Sequence, residues 1–151
     1  MYKNALKHVI ARLEERLARS PSPAYRIPGL WLHPDGPLAV QTVVPEQFFL
    51  DSLRGILASP RRRRVTDGDV PGDWGKNAIA YNLLVRYGAA FDHDGDGKIS
   101  RDPLASGWRE TGTFLKAITL LPFIRSLGCN TIHLLPITSI GQDGNKGDMG
   151  S

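Results

Sequence analysis

The chain has one cysteine, Cys129, in 151 residues, so no disulfide can close within it. The flanking SLGCNTIHLL marks Cys129 as a small buried residue at the start of a strand, because a free cysteine usually packs as a small hydrophobe. Long apolar runs are missing as well. The most apolar stretch, FLKAITLLPFIRSLG, is broken by Lys116, Pro122 and Arg125 well short of the roughly 20 residues a bilayer span requires. The first twenty residues carry charges throughout and lack the apolar core of a secretion signal, so the expectation is a soluble, cytoplasmic protein. A strong excess of one charge is also lacking. The net charge is +4, and much of it comes from the run RRRR at 61–64. That run has no interleaved aromatic residues and follows Pro60, so a solvated loop is expected and no nucleic acid or membrane partner. The rival reading, a nucleic-acid-binding preface built on RRRR, predicts binding that weakens steeply with salt.

What is present suits one globular domain, with 41% hydrophobic and 23% charged residues. Leu6, Val9, Ile10, Leu13 and Leu17 recur at helical spacing, which predicts an amphipathic helix over 2–19, stopped by SPSP. Proline and glycine then dominate to residue 45, with room for two short strands. PEQFFLDSLRGILAS restores helical spacing, with proline at its start and Ser-Pro at its end. Residues 59–76 read as a linker, dividing a helical preface, 1–76, from a main fold, 77–151. NAIAYNLLVRYGAAF reads as a strand buried on both faces, as in a parallel sheet. GTFLKAITLLPFIRSLG reads as a helix ending at Gly128 with Pro122 as an interior flaw, and NTIHLLPI as a second buried strand. The order strand, loop, helix, strand predicts a parallel α/β fold.

The densest chemistry lies in DHDGDGKIS. Asp92, Asp94 and Asp96 alternate, so their oxygens can converge on one point while Gly97 permits the turn and the Lys98 carbonyl adds a ligand. Three close carboxylates repel one another unless a cation neutralises them, and hard oxygen donors favour calcium over zinc. A complete calcium-hand loop needs glutamate at its twelfth position, where Pro103 stands, and flanking helices, which the sequence does not offer. Ser100, Asp102 or Glu110 is left to complete the shell. The competing account is an acidic turn held by local hydrogen bonds. His93, at an even loop position, is expected to face solvent, and His133 to be a hydrogen-bonded core residue. His8 and His33 have no partner in the sequence that suggests chemistry. GQDGNKG at 141–147 lacks the Gly-Lys-Ser/Thr ending of a phosphate loop, and no serine stands in a nucleophile-elbow context.

AIAYNLLVRYGAAFDHDGDG, then GTFLKAITLLPFIRSLGCNTIHLLPI, then GNKGDMGS, together resemble the opening of the catalytic (β/α)8 barrel in the alpha-amylase superfamily of glycoside hydrolases. The resemblance covers about residues 77–151. Residues 1–76 resemble, less closely, the preface that precedes the barrel in some bacterial members. The resemblance implies an incomplete TIM barrel: its first βαβ portion, with a calcium loop after the first strand that uses Asp92, Asp94 and Asp96, to which the loop's own spacing adds the Lys98 carbonyl and Asp102 as expected ligands. It also implies cleavage of α-glucosidic bonds with retention, by a nucleophile and an acid/base carboxylate roughly 5 Å apart and an assisting third carboxylate. All of these belong to strands later than the second, so no catalytic residue is expected here and the segment alone is expected to be inactive. Loops that follow barrel strands line the active-site face, which makes Lys146 and Asp148 the candidates to approach an α-glucan or α-glucoside substrate. A segment with two of the eight strands leaves apolar edges unpaired and is expected to be unstable alone. The alternative is a stand-alone calcium-binding module without catalysis.

Overall fold

The computed structural model describes residues 2–33, 38–59 and 73–137. The expected first helix forms as α1, Tyr2–Arg19. Its stripe of Leu6, Ile10, Leu13 and Leu17 packs into the core, with Leu13 buried. The proline-rich stretch that follows cannot supply helical hydrogen bonds and instead makes the antiparallel pair β1, Tyr25–Pro28, and β2, Val40–Val43, with Tyr25 opposite Val43. A turn of 3-10 helix at Gly29–Trp31 leaves β1 and buries Trp31. Helix α2, Pro45–Ala58, begins on proline, whose missing amide costs nothing in a first turn. It ends where Ser59 turns extended, the conformation that a following proline favours.

The expected long strand is much shorter than its apolar run. Only β3, Ala80–Leu83, is extended, and the chain then makes a single helical turn, α3, Val85–Gly88. Gly112 explains this turn: its amide donates to the Arg86 carbonyl at 2.8 Å, and a Cβ on it would overlap the Val85 carbonyl oxygen. The backbone of 85–88 is thus engaged by a returning segment rather than by a neighbouring strand. The expected single helix over 112–128 is two helices, α4, Phe114–Thr119, and α5, Leu121–Ser126. Pro122 has no amide to give the carbonyl of the preceding turn, so it stands in the first turn of a new helix rather than inside an old one. Thr113 caps α4 by accepting from the Lys116 amide, and Gly128, at φ +84°, closes α5.

Strand β4, Thr131–Leu134, pairs with β3 in parallel, Asn82 facing His133. Asn130 fixes the register by accepting from the Ile79 amide at 2.9 Å and donating to the Asn77 carbonyl at 2.7 Å. The described residues thus form a mixed α/β arrangement with one antiparallel and one parallel pair. β3 and β4 are not buried on both faces as expected, since Ala80, Asn82, His133 and Leu134 are exposed. His133 is accordingly a surface residue, although its Nδ1 meets Asn82 Oδ1 at 2.8 Å on the adjacent strand. Cys129 is half-buried.

The core runs across residue 76. Tyr25, Ile27, Trp31, Phe49 and Leu53 pack in one cluster with Leu83, Val85, Ala117, Leu120 and Ile124. Phe49 of α2 stacks on Trp108 with ring centroids 5.1 Å apart and meets Tyr25 edge-on at 6.4 Å. A second tie is polar. Glu46, fully buried at the start of α2, pairs with Arg16 of α1 at 2.8 Å and accepts from the Ser22 amide and hydroxyl and from Trp108 Nε1. Burial alone would push its carboxyl pKa up, but the hydrogen bonds from Ser22, its own backbone amide and Trp108 hold it below the ordinary glutamate value. Arg16 also donates to the Ser106 carbonyl and lies 5.0 Å over the Trp108 ring. These contacts anchor the 103–109 segment, next to the aspartate loop, on the N-terminal helices.

Candidate metal centre

The aspartate loop begins after α3, and its form follows from local hydrogen bonding. Asp92 accepts from the Gly95 amide at 2.6 Å on Oδ1 and from the Gly97 amide at 3.2 Å on Oδ2. Asp94 accepts from the Asp96 amide at 3.1 Å, and Asp96 from the Lys98 amide at 2.8 Å. Such side-chain to backbone turns are what aspartate offers in place of helix or sheet. They draw the chain into a tight coil that needs positive φ at Gly95, +85°, and Gly97, +83°. A Cβ on Gly95 would also meet the Arg26 guanidinium of β1, which would have to swing aside.

The coil brings one carboxylate oxygen from each of Asp92, Asp94 and Asp96 within 4.8 Å of one another. Ligands of a single calcium ion lie about 2.3–2.6 Å from it, so no two can be much more than about 5 Å apart, and the triad fits this bound. Three hard, anionic oxygen donors also suit such an ion chemically. Asp94 and Asp96 are exposed and Asp92 half-buried, so the cluster opens to solvent. Arg26 Nη1 stands 3.5 Å from Asp92 Oδ2 as a partial counter-charge. For Asp92, desolvation acts upward on its pKa, but the Gly95 and Gly97 amides, Arg26 and Asp94 together hold it below the ordinary aspartate value.

Of the other expected ligands, Lys98 adjoins the triad and is exposed, with its amide spent on Asp96. Asp102 lies outside the group of three, exposed, with its amide donating to Ser100 Oγ at 3.2 Å. Glu110 does not point at the triad's solvent side at all. It is buried beneath the loop, where Oε1 accepts from the His93 amide at 2.7 Å and the Asp94 amide at 3.4 Å, and Oε2 from the Ser100 amide at 2.8 Å. Its role is therefore to clasp the two ends of the loop. Lys116, equally buried on α4, donates Nζ to the carbonyls of Arg109, Glu110 and Thr111, the last two at 3.0 Å. Burial drives the Lys116 pKa down to about 7, against the pull of the Glu110 carboxylate.

His93 corrects the expectation of a solvent-facing loop residue. Its side chain is buried, stacked on Tyr25 with ring centroids 3.8 Å apart, with Nδ1 at 2.6 Å from the Arg26 carbonyl. The Arg26 amide in turn donates to the His93 carbonyl at 3.0 Å. Burial, opposed by the Arg26 hydrogen bond and reinforced by the Lys116 charge, lowers the His93 pKa to about 4, so the ring is neutral at pH 7. Burial and then the Glu110 charge push the Tyr25 phenol well above its ordinary value. The residue at an even loop position, between two expected ligands, is therefore the loop's anchor on β1. No signal within the loop itself marks this role, because its partner is 67 residues away.

Lys146, Asp148, the glycine-rich stretch 138–151 and the arginine run 61–64 lie outside the described residues. Among the described residues no helix is long and apolar enough to cross a membrane. No family model matches the chain, and no curated protein matches it.

Proposed function

We propose that this chain is the N-terminal part of an alpha-amylase-like glycoside hydrolase, with a calcium ion as structural cofactor in its aspartate loop. The observation that carries the reading is the convergence of Asp92, Asp94 and Asp96 within 4.8 Å, in the connection between two parallel strands. The parallel pairing of β3 with β4 through α3, α4 and α5 supports a βα unit of barrel type. In this reading the ion stitches the first strand-to-helix connection and is not itself catalytic. The substrate is an α-glucan or α-glucoside, bound in the complete cytoplasmic enzyme near Lys146 and Asp148, and the cleaving carboxylates come from later strands. Calcium would be held by the three aspartates, with the Lys98 carbonyl and Asp102 as the expected additional ligands.

The second reading, a calcium-binding module without catalysis, is favoured by the same triad, which needs no barrel in order to bind an ion. Calorimetric titration of calcium into the wild-type chain and into a D92A/D94A/D96A variant tests the ion. At a hundredfold excess over Kd, calcium should raise Tm by about 5–10 °C in the wild type only. Equal heats and equal Tm in both proteins would remove the cation from either reading. The coding sequence downstream of Ser151 separates the two: further strand and helix pairs bearing carboxylates support the hydrolase, and a stop codon supports the module.

A further inference from the structure

Successive side chains of a strand point to opposite faces, and the two faces of the β3–β4 pair differ in kind. On one, Tyr81, Leu83 and Ile132 pack into the core that Ala117, Leu120 and Ile124 share. The other carries Ala80 beside Thr131 and Asn82 beside His133. Strands of a parallel sheet are ordinarily apolar on both faces, because both faces are covered. The polar face is therefore the one to explain.

His133 Nδ1 lies 2.8 Å from Asn82 Oδ1, across two strands and 51 residues of chain. An amide oxygen only accepts, so Nδ1 carries the proton and the neutral ring keeps its lone pair on Nε2. Both side chains are exposed, and among the described residues nothing meets Nε2. Thr131 is already engaged, its hydroxyl donating to Asn130 Oδ1 at 3.0 Å. The pair stands one residue before the ends of β3 and β4, at Leu83 and Leu134. In parallel α/β folds, open or closed, ligands bind at that carboxyl edge. The result is a hydrogen-bond acceptor held in one direction by a neighbouring strand, at the edge where a ligand is expected.

We propose that His133, oriented by Asn82, is a substrate-binding residue whose Nε2 accepts a hydrogen bond from a hydroxyl of the α-linked glucose residue lodged at the carboxyl edge of β3 and β4. This rests on the glycoside hydrolase reading and adds to it a contact on the described strands. A sugar supplies the donor that the pair lacks. An acceptor enclosed without one is costly, and an anionic or purely apolar ligand brings no donor to meet it. Asn82 is a positioning residue: it acts through the imidazole by fixing its tautomer.

The tautomer is read first, from long-range proton–nitrogen spectra of the histidine rings in the 151-residue chain. His133 should carry its proton on Nδ1 in the wild type and shift it to Nε2 in N82A. Kinetics are then measured on the complete enzyme, translated from Met1 to its natural stop codon, with maltohexaose as substrate. H133L removes the acceptor and should lower kcat/KM about tenfold or more, mainly through KM. H133Q returns an acceptor oxygen and should recover most of that loss, and N82A should cost about three- to tenfold with Tm unchanged. An Nε2–H tautomer in the wild type, or H133L within about twofold of wild type, would overturn the proposal and leave the hydrolase reading standing. Equal losses in H133L and H133Q, accompanied by a lowered Tm, would assign His133 to packing and overturn it likewise. A wild-type enzyme inactive on every α-glucan would instead remove the hydrolase reading, and this contact with it.

Discussion

Replacing Glu110 with alanine tests whether the aspartate loop is held from beneath. The wild-type carboxylate accepts from the amides of His93 at 2.7 Å and Ser100 at 2.8 Å and, more weakly, from Asp94 at 3.4 Å. Hydrogen bonds to a charged group contribute about 1.5–3 kcal/mol each, and the residue is buried, so water cannot readily take over. Two good bonds and one poor one therefore place the loss at about 3–5 kcal/mol for E110A, a large share of the roughly 5–15 kcal/mol that folded domains possess. Glutamine keeps one acceptor oxygen but turns an amide group toward a backbone N–H, so E110Q should lose about 2 kcal/mol. Lys116 loses its electrostatic partner in both variants but keeps its three carbonyl acceptors. The assay is urea unfolding followed by tryptophan fluorescence, in chelator, so that no cation contributes. Calcium calorimetry on E110Q then reads the same loop, and affinity should fall although every aspartate remains. A loss under about 1 kcal/mol for E110A would refute the clasp.

Glu46→Ala should cost about 3 kcal/mol, because the Ser22 amide and hydroxyl lose their acceptor and Arg16 its counter-charge; a midpoint within about 0.5 kcal/mol of wild type in urea would count against the buried network. Gly112→Ala drives a methyl group into the Val85 carbonyl and should destabilise by more than about 2 kcal/mol, whereas Gly55→Ala should stabilise by about 0.5–1 kcal/mol, and thermal unfolding of the pair reads the contrast. His93 has a folded pKa of about 4 against 6.5 in the open chain, so between those values the unfolded state binds the extra proton. The His93 contribution is complete above about pH 6.5 and should be lost as pH drops toward 4; the lowered Glu46 pKa takes over below its ordinary value of 4.5, with the same sign. A urea midpoint unchanged from pH 7 to pH 4 would contradict the burial of His93.

The helices were legible because their signals are local. The apolar recurrence from Leu6 to Leu17 marks α1, and proline at 45 with Ser-Pro at 59–60 brackets α2. The aspartate coil was legible too, since its hydrogen bonds join residues no more than five apart. The extent of β3 was not. NAIAYNLLVRYGAAF has the composition of a long strand, but Gly112, far along the chain, captures the Arg86 carbonyl and turns the middle of the run into α3. Pro122 has the sequence context of a flaw within one helix, and only the folded backbone shows that it opens a second.

The sequence by itself determined where the acidic residues and glycines of the loop stand, and with them which donors could meet a cation. Periodicity and turn chemistry act over a few residues, so those features are written in short stretches. Only the tertiary structure decided what supports the loop: Arg26 and Tyr25 from β1, Glu110 from the returning segment and Lys116 from α4. Each is brought beside it by burial of a core shared between residues distant in the chain. That long-range packing also turned His93 from an expected surface residue into the loop's anchor.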